Sequence, residues 1–254
     1  MTVQVPRAAL VTGAARRIGR AIVLGLHEAG YAVAIQANRS VDEAEALRDE
    51  IVRAGGRAAV LRADLSDHAA VAELLPAAVS AIGPLTLLVN NAATFEPDAI
   101  GSLDPKRFDR QFAVNLRAPL FLSEALAAQA PRSANASIVN ILDQRVFKLT
   151  PHFLSYTLAK SALHAATCML AQALAPNVRV NAVAPGPTMA SARQQAEDFA
   201  RQAASVPLGH GPSAEEIAGA VVYLAGARSI TGVTLAVDGG QHLAWQTPDT
   251  SVAE

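Results

Sequence analysis

Residues 8–19, Ala-Ala-Leu-Val-Thr-Gly-Ala-Ala-Arg-Arg-Ile-Gly, decide the fold of this chain. The first four residues are apolar and typical of a buried strand, and the apolar spacing of three and four that starts at Ile18 predicts a helix ending at Gly30. A strand that turns through glycine into a helix presents free backbone N–H groups at the positive end of the helix dipole, where a phosphate binds. Gly13 is predicted to make the tight turn, and Gly19 to allow close packing of the helix on the strand.

Beyond this stretch, short apolar runs alternate with segments of helical period, which is typical of βαβ units around a parallel sheet. Runs such as Leu-Thr-Leu-Leu-Val are apolar almost throughout, so these strands are expected to be covered by helices on both faces. We predict an α/β, Rossmann-type, doubly wound sheet of seven parallel strands in the order 3-2-1-4-5-6-7. The predicted strands are Ala8–Val11, Ala32–Gln36, Ala58–Arg62, Leu85–Asn90, Ser137–Leu142, Arg179–Val183 and Thr234–Val237.

The pattern of alternation predicts one domain over residues 1–254, because no linker rich in proline, glycine or serine interrupts it. Residues 185–212 begin and end in proline-containing segments that bracket a helical stretch, and they are predicted to form a lid or substrate loop. The polar tail, residues 246–254, is expected to fray.

Composition excludes several classes of partner. The formal net charge is −1, which removes a general electrostatic case for binding nucleic acid or an anionic membrane. The apolar runs are too short to span a membrane, and no targeting signal is visible at the start. The single cysteine, Cys168, has no disulfide partner, so a cytoplasmic location is predicted. No metal site is expected, since His152, His164 and His210 lack ligand spacing.

The segment Gln36-Ala37-Asn38-Arg39-Ser40 follows the second predicted strand, where an acidic residue would bind the ribose hydroxyls of NAD. This chain has no carboxylate there. Arg39 and Ser40 are instead suited to a 2′-phosphate, and Arg16 adds a second positive charge. The pattern favours NADP(H), although two solvated arginines at loop ends would look the same.

Tyr156 and Lys160 lie four residues apart in a helical segment, so both side chains project from one face. An ammonium near a phenol is expected to lower the pKa of the phenol and make it a usable acid. The alternative is a solvated surface pair. A site is favoured because the pair follows a buried strand that ends near Asp143, and ligands bind at such strand ends.

From about Ala8 to Gly240 the chain resembles a short-chain dehydrogenase/reductase. The residues that carry the resemblance, in the family's order and spacing, are the glycine turn, Asp64, Asn90-Asn91-Ala92, Asn115, Tyr156-x-x-x-Lys160, Pro185-Gly186 and Asp238-Gly239-Gly240. The resemblance implies that Asn115 supports a proton relay to Lys160, and that the protein is a homotetramer. It implies a cofactor site made of Gly13, Arg16, Arg17, Ile18, Gly19, Asn38, Arg39, Ser40, Asp64, Leu65, Asn91, Ala92, Tyr156, Lys160, Pro185, Gly186 and Thr188.

Two departures from most family members resemble the pteridine reductase branch: Asp143 stands where most carry serine, and Arg17 where most carry glycine. This resemblance implies that Asp143 acts with Tyr156, that Phe95 stacks on a flat substrate ring, and that Arg17 reaches phosphate and substrate atoms. The structural alternatives are a strand-end cap for Asp143, loop packing for Phe95 and a surface position for Arg17. Ala93 differs from the serine common in that branch, which removes one hydrogen bond to a pterin.

The expected function is therefore NADPH-dependent reduction of a dihydropteridine or related pterin. A general carbonyl or 3-oxoacyl reductase is the second interpretation. An NADP-binding sensor or scaffold is the third, and the retained Tyr156 and Lys160 count against it.

Overall fold

The computed structural model describes residues 7–130, 135–191 and 193–245. The seven strands form one parallel sheet in the order β3-β2-β1-β4-β5-β6-β7, which confirms the predicted topology. The strands are β1 (Ala8–Val11), β2 (Ala32–Ala37), β3 (Ala58–Arg62), β4 (Leu87–Asn90), β5 (Ala136–Ile141), β6 (Val178–Pro185) and β7 (Thr234–Val237). The predicted fraying of residues 246–254 lies outside the described residues.

Eight α-helices are found in the described part of the chain. They are α1 (Arg17–Glu28), α2 (Val41–Arg53), α3 (His68–Ile82), α4 (Pro105–Phe112), α5 (Ala118–Gln129), α6 (Leu154–Leu174), α7 (Ala196–Ala204) and α8 (Ala214–Gly226). Apolar residues of α1, α2 and α8, such as Ile22, Leu47 and Val221, pack on one face of the sheet. Those of α3 and α5, such as Leu74 and Leu122, pack on the other face. The prediction of helices on both faces is confirmed.

Strands β1, β3 and β7 have the predicted ends. The ends of the other four strands differ from the predicted ones by one or two residues, because sheet pairing and not local apolarity sets them. The fourth strand begins at Leu87 and not at Leu85. The sixth strand runs to Pro185, two residues beyond the predicted end, since Pro185 still pairs in register with Val237 of β7.

The carboxyl ends of β1, β4 and β5 meet at one edge of the sheet. Thr12, Asn91 and Asp143 follow these ends, and the N-terminus of α6 brings Tyr156 to the same edge. The parallel topology thus collects residues that are distant in sequence. Within the described residues, no helix is both long enough and apolar enough to span a membrane.

Candidate active site

The glycine turn between β1 and α1 is tied to the neighbouring strand by one buried side chain. Gly13 adopts a positive φ of 61°, and its N–H donates to Oε1 of Gln36 at 2.8 Å. The Nε2 group of Gln36 donates to the carbonyl oxygen of Ala63 at 2.8 Å. Sequence reasoning missed Gln36, although an amide within the apolar run Ala-Val-Ala-Ile-Gln-Ala was a usable signal.

A second set of hydrogen bonds joins the end of β1 to the end of β4. The Nδ2 group of Asn91 donates to the carbonyl oxygens of Thr12 and Gly13, both at 2.9 Å. In return, the Thr12 hydroxyl accepts from the backbone N–H groups of Asn91 and Ala92, both at 3.0 Å. The Asn91 side chain therefore holds the glycine turn in shape.

Neither glycine of the turn has room for a side chain. A Cβ on Gly13 would lie 2.7 Å from Cα of Ala92, and a Cβ on Gly19 would lie 2.4 Å from the carbonyl oxygen of Gly13. Backbone atoms in such contacts cannot move aside without opening the turn. The turn therefore offers backbone N–H groups and no side-chain bulk, which fits a bound pyrophosphate.

We expect Gly19→Ala to destabilise the protein by about 2 kcal/mol or more, because the added methyl group overpacks a backbone contact. The matched control is Gly219→Ala on α8, where nothing lies within 4 Å of the added Cβ. That control should be neutral or slightly stabilising, since alanine favours a helix interior. Urea unfolding of both variants measures the difference, and equal stabilities would contradict the close contact at Gly19.

A cleft of about 850 Å³ opens beside the glycine turn. Among the residues that line it are twelve predicted for the cofactor: Gly13, Arg16, Arg17, Ile18, Gly19, Asn38, Arg39, Ser40, Asp64, Leu65, Asn91 and Ala92. Phe95 also lines this cleft, whereas Asp143, Tyr156 and Lys160 do not. Its size and its lining suit the adenosine and diphosphate part of a dinucleotide.

The charged groups at the mouth of the cleft are exposed. Arg16 forms a 3.4 Å ion pair with Glu43, and Arg39 lies on the surface beside Ser40. Hydrogen bonds from Ser66 lower the pKa of Asp64, which keeps that carboxylate ionised at the side of the cleft.

Asp143, Tyr156 and Lys160 converge at the carboxyl end of β5. The Tyr156 hydroxyl donates to Oδ2 of Asp143 at 3.1 Å. The Nζ group of Lys160 donates to the carbonyl oxygen of Ile141 at 2.6 Å and lies 5.9 Å from the centre of the Tyr156 ring. Both Tyr156 and Lys160 are buried.

The expectation of a lowered tyrosine pKa is wrong for this structure. Burial raises the pKa of Tyr156 well above its ordinary value, and the charge and hydrogen bond of Asp143 raise it further. Lys160 does not offset these effects, because its ammonium points to a backbone carbonyl and not to the hydroxyl. Tyr156 therefore stays protonated at neutral pH, and it is a weaker acid in this structure than a free phenol.

Burial also lowers the pKa of Lys160, from 10.5 to about 8, although the Asp143 carboxylate opposes the change. Within the described residues, the carbonyl of Ile141 is the hydrogen-bond partner of this ammonium. A ligand that brings hydroxyl groups to Nζ would supply the acceptors that this buried charge lacks.

Asn115 lies in a π-helical turn, Ala113–Arg117, between α4 and α5. Its amide bonds both backbone groups of Thr94, with Nδ2 donating to the carbonyl oxygen and Oδ1 accepting from the N–H. Nδ2 also lies 3.2 Å from Oε1 of Gln111. In the described part of the chain, the Asn115 side chain forms no hydrogen bond with Lys160. It holds the loop that carries Phe95, and the relay role stays a prediction.

The Phe95 ring packs face to face on Phe153, with ring centroids 4.2 Å apart, and edge-on against Tyr156 at 4.7 Å. One face of Phe95 is therefore covered by Phe153. Substrate stacking on Phe95, which the pteridine reductase resemblance implies, would use the opposite face and stays a prediction.

Asp98 fixes the start of the catalytic helix and was not predicted. This buried carboxylate accepts from the backbone N–H of Ser155 at 3.1 Å and from the Ser155 hydroxyl. Phe153, just before α6, has a left-handed φ of 56° and makes no side-chain cap. Asp98 thereby satisfies a free N–H at the first turn of α6, one residue before Tyr156.

Two arginines connect the segment that follows β6 to the two walls of the cleft. Arg17 donates to the carbonyl oxygens of Met189 and Ala190 at 3.0 and 2.8 Å. From the segment itself, Arg193 pairs with Glu96 at 3.2 Å and donates to the carbonyl oxygen of Phe95. These contacts tie Met189 and Ala190 to the glycine turn and Arg193 to the Phe95 loop.

Three further predicted residues, Pro185, Gly186 and Thr188, lie at the carboxyl end of β6 and do not line the large cleft. A Cβ on Gly186 would lie 2.6 Å from Cα of Asp238, so glycine is needed for close packing there. The Thr188 hydroxyl donates to the carbonyl oxygen of Gly186 at 3.1 Å.

A parallel sheet with a glycine turn and a tyrosine–lysine pair at its carboxyl edge defines a dinucleotide-dependent oxidoreductase. A family model described as enoyl-(acyl carrier protein) reductase matches residues 13–242. L-xylulose reductase of Bos taurus is 35% identical over 243 residues, which cover 92% of this chain and 96% of that protein. The chain belongs to the short-chain dehydrogenase/reductase family.

Two solved structures are more similar. FolM alternative dihydrofolate reductase 1 from Brucella suis, in complex with NADP, is 52% identical with a TM-score of 0.93 and covers 96% of this chain and 98% of its own. The Brucella canis protein of the same name, also complexed with NADP, is 50% identical with a TM-score of 0.92, covering 97% and 98%.

Proposed function

We propose that the protein is an NADPH-dependent reductase of a dihydropteridine or related pterin. The observation that carries the proposal is the 3.1 Å hydrogen bond between Tyr156 and Asp143 in a chain half-identical to FolM alternative dihydrofolate reductases. A carboxylate accepts hydrogen bonds and donates none, so it suits the N–H groups of a pterin edge better than the bare oxygen of a ketone.

The cofactor would lie along the cleft, with its diphosphate on the Gly13 turn and its nicotinamide end near Lys160 and Pro185. When bound, NADPH supplies a hydride to an electrophilic carbon of the ring. Tyr156 gives its proton to the adjacent ring nitrogen, so the C=N bond gains one hydride and one proton. Asp143 orients the Tyr156 hydroxyl, and the Lys160 ammonium would bind the ribose hydroxyls of the cofactor.

The protonation state of Tyr156 supports reduction as the favoured direction. Its pKa is raised by burial and by Asp143, so the side chain is protonated at neutral pH and carries the proton that a reduction requires. An enzyme built for alcohol oxidation would need the opposite shift, because the tyrosine would have to accept a proton.

The absence of an acid after β2 and the position of Arg39 at the cleft support NADPH over NADH. We expect Arg39→Ala to raise KM for NADPH about tenfold, because one charge-assisted contact to the 2′-phosphate is lost. The KM for NADH should stay nearly constant in the same variant. Arg53→Ala, at the exposed end of α2, is the control. Equal changes for both cofactors would contradict a phosphate contact.

The direct test is a steady-state assay with NADPH and three substrates: dihydrobiopterin, dihydrofolate and the diketone diacetyl. Turnover of either pteridine well above that of diacetyl supports the proposal. Reduction of diacetyl alone would favour the general carbonyl reductase interpretation, to which the 35% identity with L-xylulose reductase points. NADPH binding without turnover of any substrate would favour the sensor interpretation.

We also propose that residues 185–212 act as a substrate lid. The Arg17 and Arg193 contacts across the cleft support this, because they join the segment to both walls. One domain over residues 1–254, the homotetramer and the cytoplasmic location stay predictions.

A further inference from the structure

Arg145 lies two residues after Asp143 in the 3-10 turn Gln144–Val146, and neither the family resemblance nor the reaction assigns it a role. Its backbone N–H donates to Oδ1 of Asp143 at 2.9 Å. Its Nη1 group lies 3.1 Å from Oδ2 and 3.4 Å from Oδ1 of the same carboxylate. Arg145 thus holds both oxygens of Asp143, and Tyr156 donates to one of them.

The guanidinium packs beside the edges of two stacked aromatic rings. Its Cζ atom lies 5.4 Å from the ring centroids of both Phe95 and Phe153, which are themselves 4.2 Å apart. The Arg145 and Asp143 side chains are only 20% and 17% exposed, so water screens this ion pair less than an ion pair on the surface.

The hydrogen bonds of the Arg145 side chain are all made to Asp143 within the described residues. Its Nε atom is buried, and no acceptor among those residues reaches it. A guanidinium that stabilised the local fold would be expected to bond nearby carbonyls, as Arg179 does with those of Leu224 and Ala225. The hydrogen bonds of the Arg145 side chain therefore hold the Asp143 carboxylate in its orientation.

We propose that Arg145 is a specificity-determining positioning residue that acts through Asp143. It keeps the carboxylate turned towards Tyr156 as a fixed acceptor, so the site accepts a substrate that brings an N–H group and disfavours one that brings only a carbonyl oxygen. The inference rests on the proposed function, because it concerns the substrate class of the same site.

The experiment is a double-mutant cycle of Arg145→Met and Asp143→Asn, measured with dihydrobiopterin and diacetyl. We expect Arg145→Met to lower kcat/KM for dihydrobiopterin about 30-fold, mainly through kcat, because a charged hydrogen bond that orients the acceptor is lost. In the Asp143→Asn background the same change should cost less than about threefold. Activity with diacetyl should be unchanged or higher, and the dissociation constant for NADPH should be unchanged.

Arg145→Lys keeps the charge and should recover most of the lost activity with dihydrobiopterin. Arg48→Gln, which removes an ion pair on the outer surface of α2, is the control for loss of an arginine. If Arg145→Met does not fold, Arg145→Lys and Arg145→Gln complete the comparison.

An equal loss in the Asp143→Asn background, or an equal loss with both substrates, would overturn the inference. A wild-type protein that reduces diacetyl alone would overturn the proposed function instead. The inference would then depend on the diacetyl turnover of Arg145→Met, and a lower rate than that of the wild type would overturn it as well.

Discussion

Replacing Tyr156 with phenylalanine is expected to lower kcat for dihydropteridine reduction about a thousandfold. Phenylalanine keeps the ring that packs against Phe95 but removes the hydroxyl that lies 3.1 Å from Asp143. The proton must then come from water, because the variant has no hydroxyl at this buried position beside Asp143. Stopped-flow measurement of NADPH oxidation in a single turnover isolates the chemical step.

The matched control is Tyr223→Phe, which removes a hydroxyl from an exposed tyrosine on α8 and should leave kcat unchanged. The dissociation constant for NADPH should change less than about threefold in Tyr156→Phe, because the ring remains. A variant that keeps more than about a tenth of the wild-type single-turnover rate would show that another group donates the proton. Asp143 would then be the first residue to test.

Replacing Lys160 with methionine is expected to lower kcat/KM at least a hundredfold and at the same time to remove a cost to stability. The ammonium is buried, and its pKa falls from 10.5 to about 8 because burial disfavours the charged form. That shift corresponds to a penalty of about 3 kcal/mol in the charged state. Loss of the hydrogen bond to Ile141 offsets about 1 kcal/mol of the gain, which leaves Lys160→Met more stable at pH 7 by about 2 kcal/mol.

The sign of the pH dependence follows from the depressed pKa. Between pH 8 and 10.5 the unfolded chain binds the Lys160 proton and the folded protein does not, so the wild type gains stability as pH rises through this window. The advantage of Lys160→Met should therefore shrink between pH 7 and pH 9.5 in urea unfolding of the protein without cofactor. Lys106→Met, on the exposed side of α4, should show no such trend. If the extra stability of Lys160→Met over the wild type did not change with pH, the lowered pKa of Lys160 would be contradicted.

The same titration has a catalytic consequence. For the protein without cofactor, kcat/KM for NADPH is expected to fall as pH rises through about 8, because Lys160 then loses the charge that would bind ribose hydroxyls. The fall should be absent in Lys160→Met, which has already lost the group.

Much of the fold could be predicted from the sequence because the relevant signals are local. Apolar runs of four to six residues, helical periods and glycine at the β1–α1 turn are read within a window of a few residues. The strand order then follows from the few ways in which consecutive βαβ units can pack. Tyr156 and Lys160 could be found for the same reason, since one turn of helix separates them.

The electrostatics of the site could not be predicted in this way. A tyrosine and a lysine on one helix face suggest a lowered phenol pKa, but the folded chain buries Tyr156 beside Asp143 and aims Lys160 at a carbonyl. The sign of the shift depends on burial and on atom positions, and neither is encoded in spacing.

The sequence by itself determined the order of the elements, the parallel sheet and the edge at which the chemistry must lie. Only the tertiary structure decided which side chains support that chemistry: Gln36 on the Gly13 turn, Asp98 on the start of α6, and Arg145 between Asp143 and two aromatic rings. The physical reason is the separation in sequence over which each interaction acts. Strand and helix preferences act between near neighbours, whereas a hydrogen bond such as that between Asp98 and Ser155 joins residues that meet only after the core has packed.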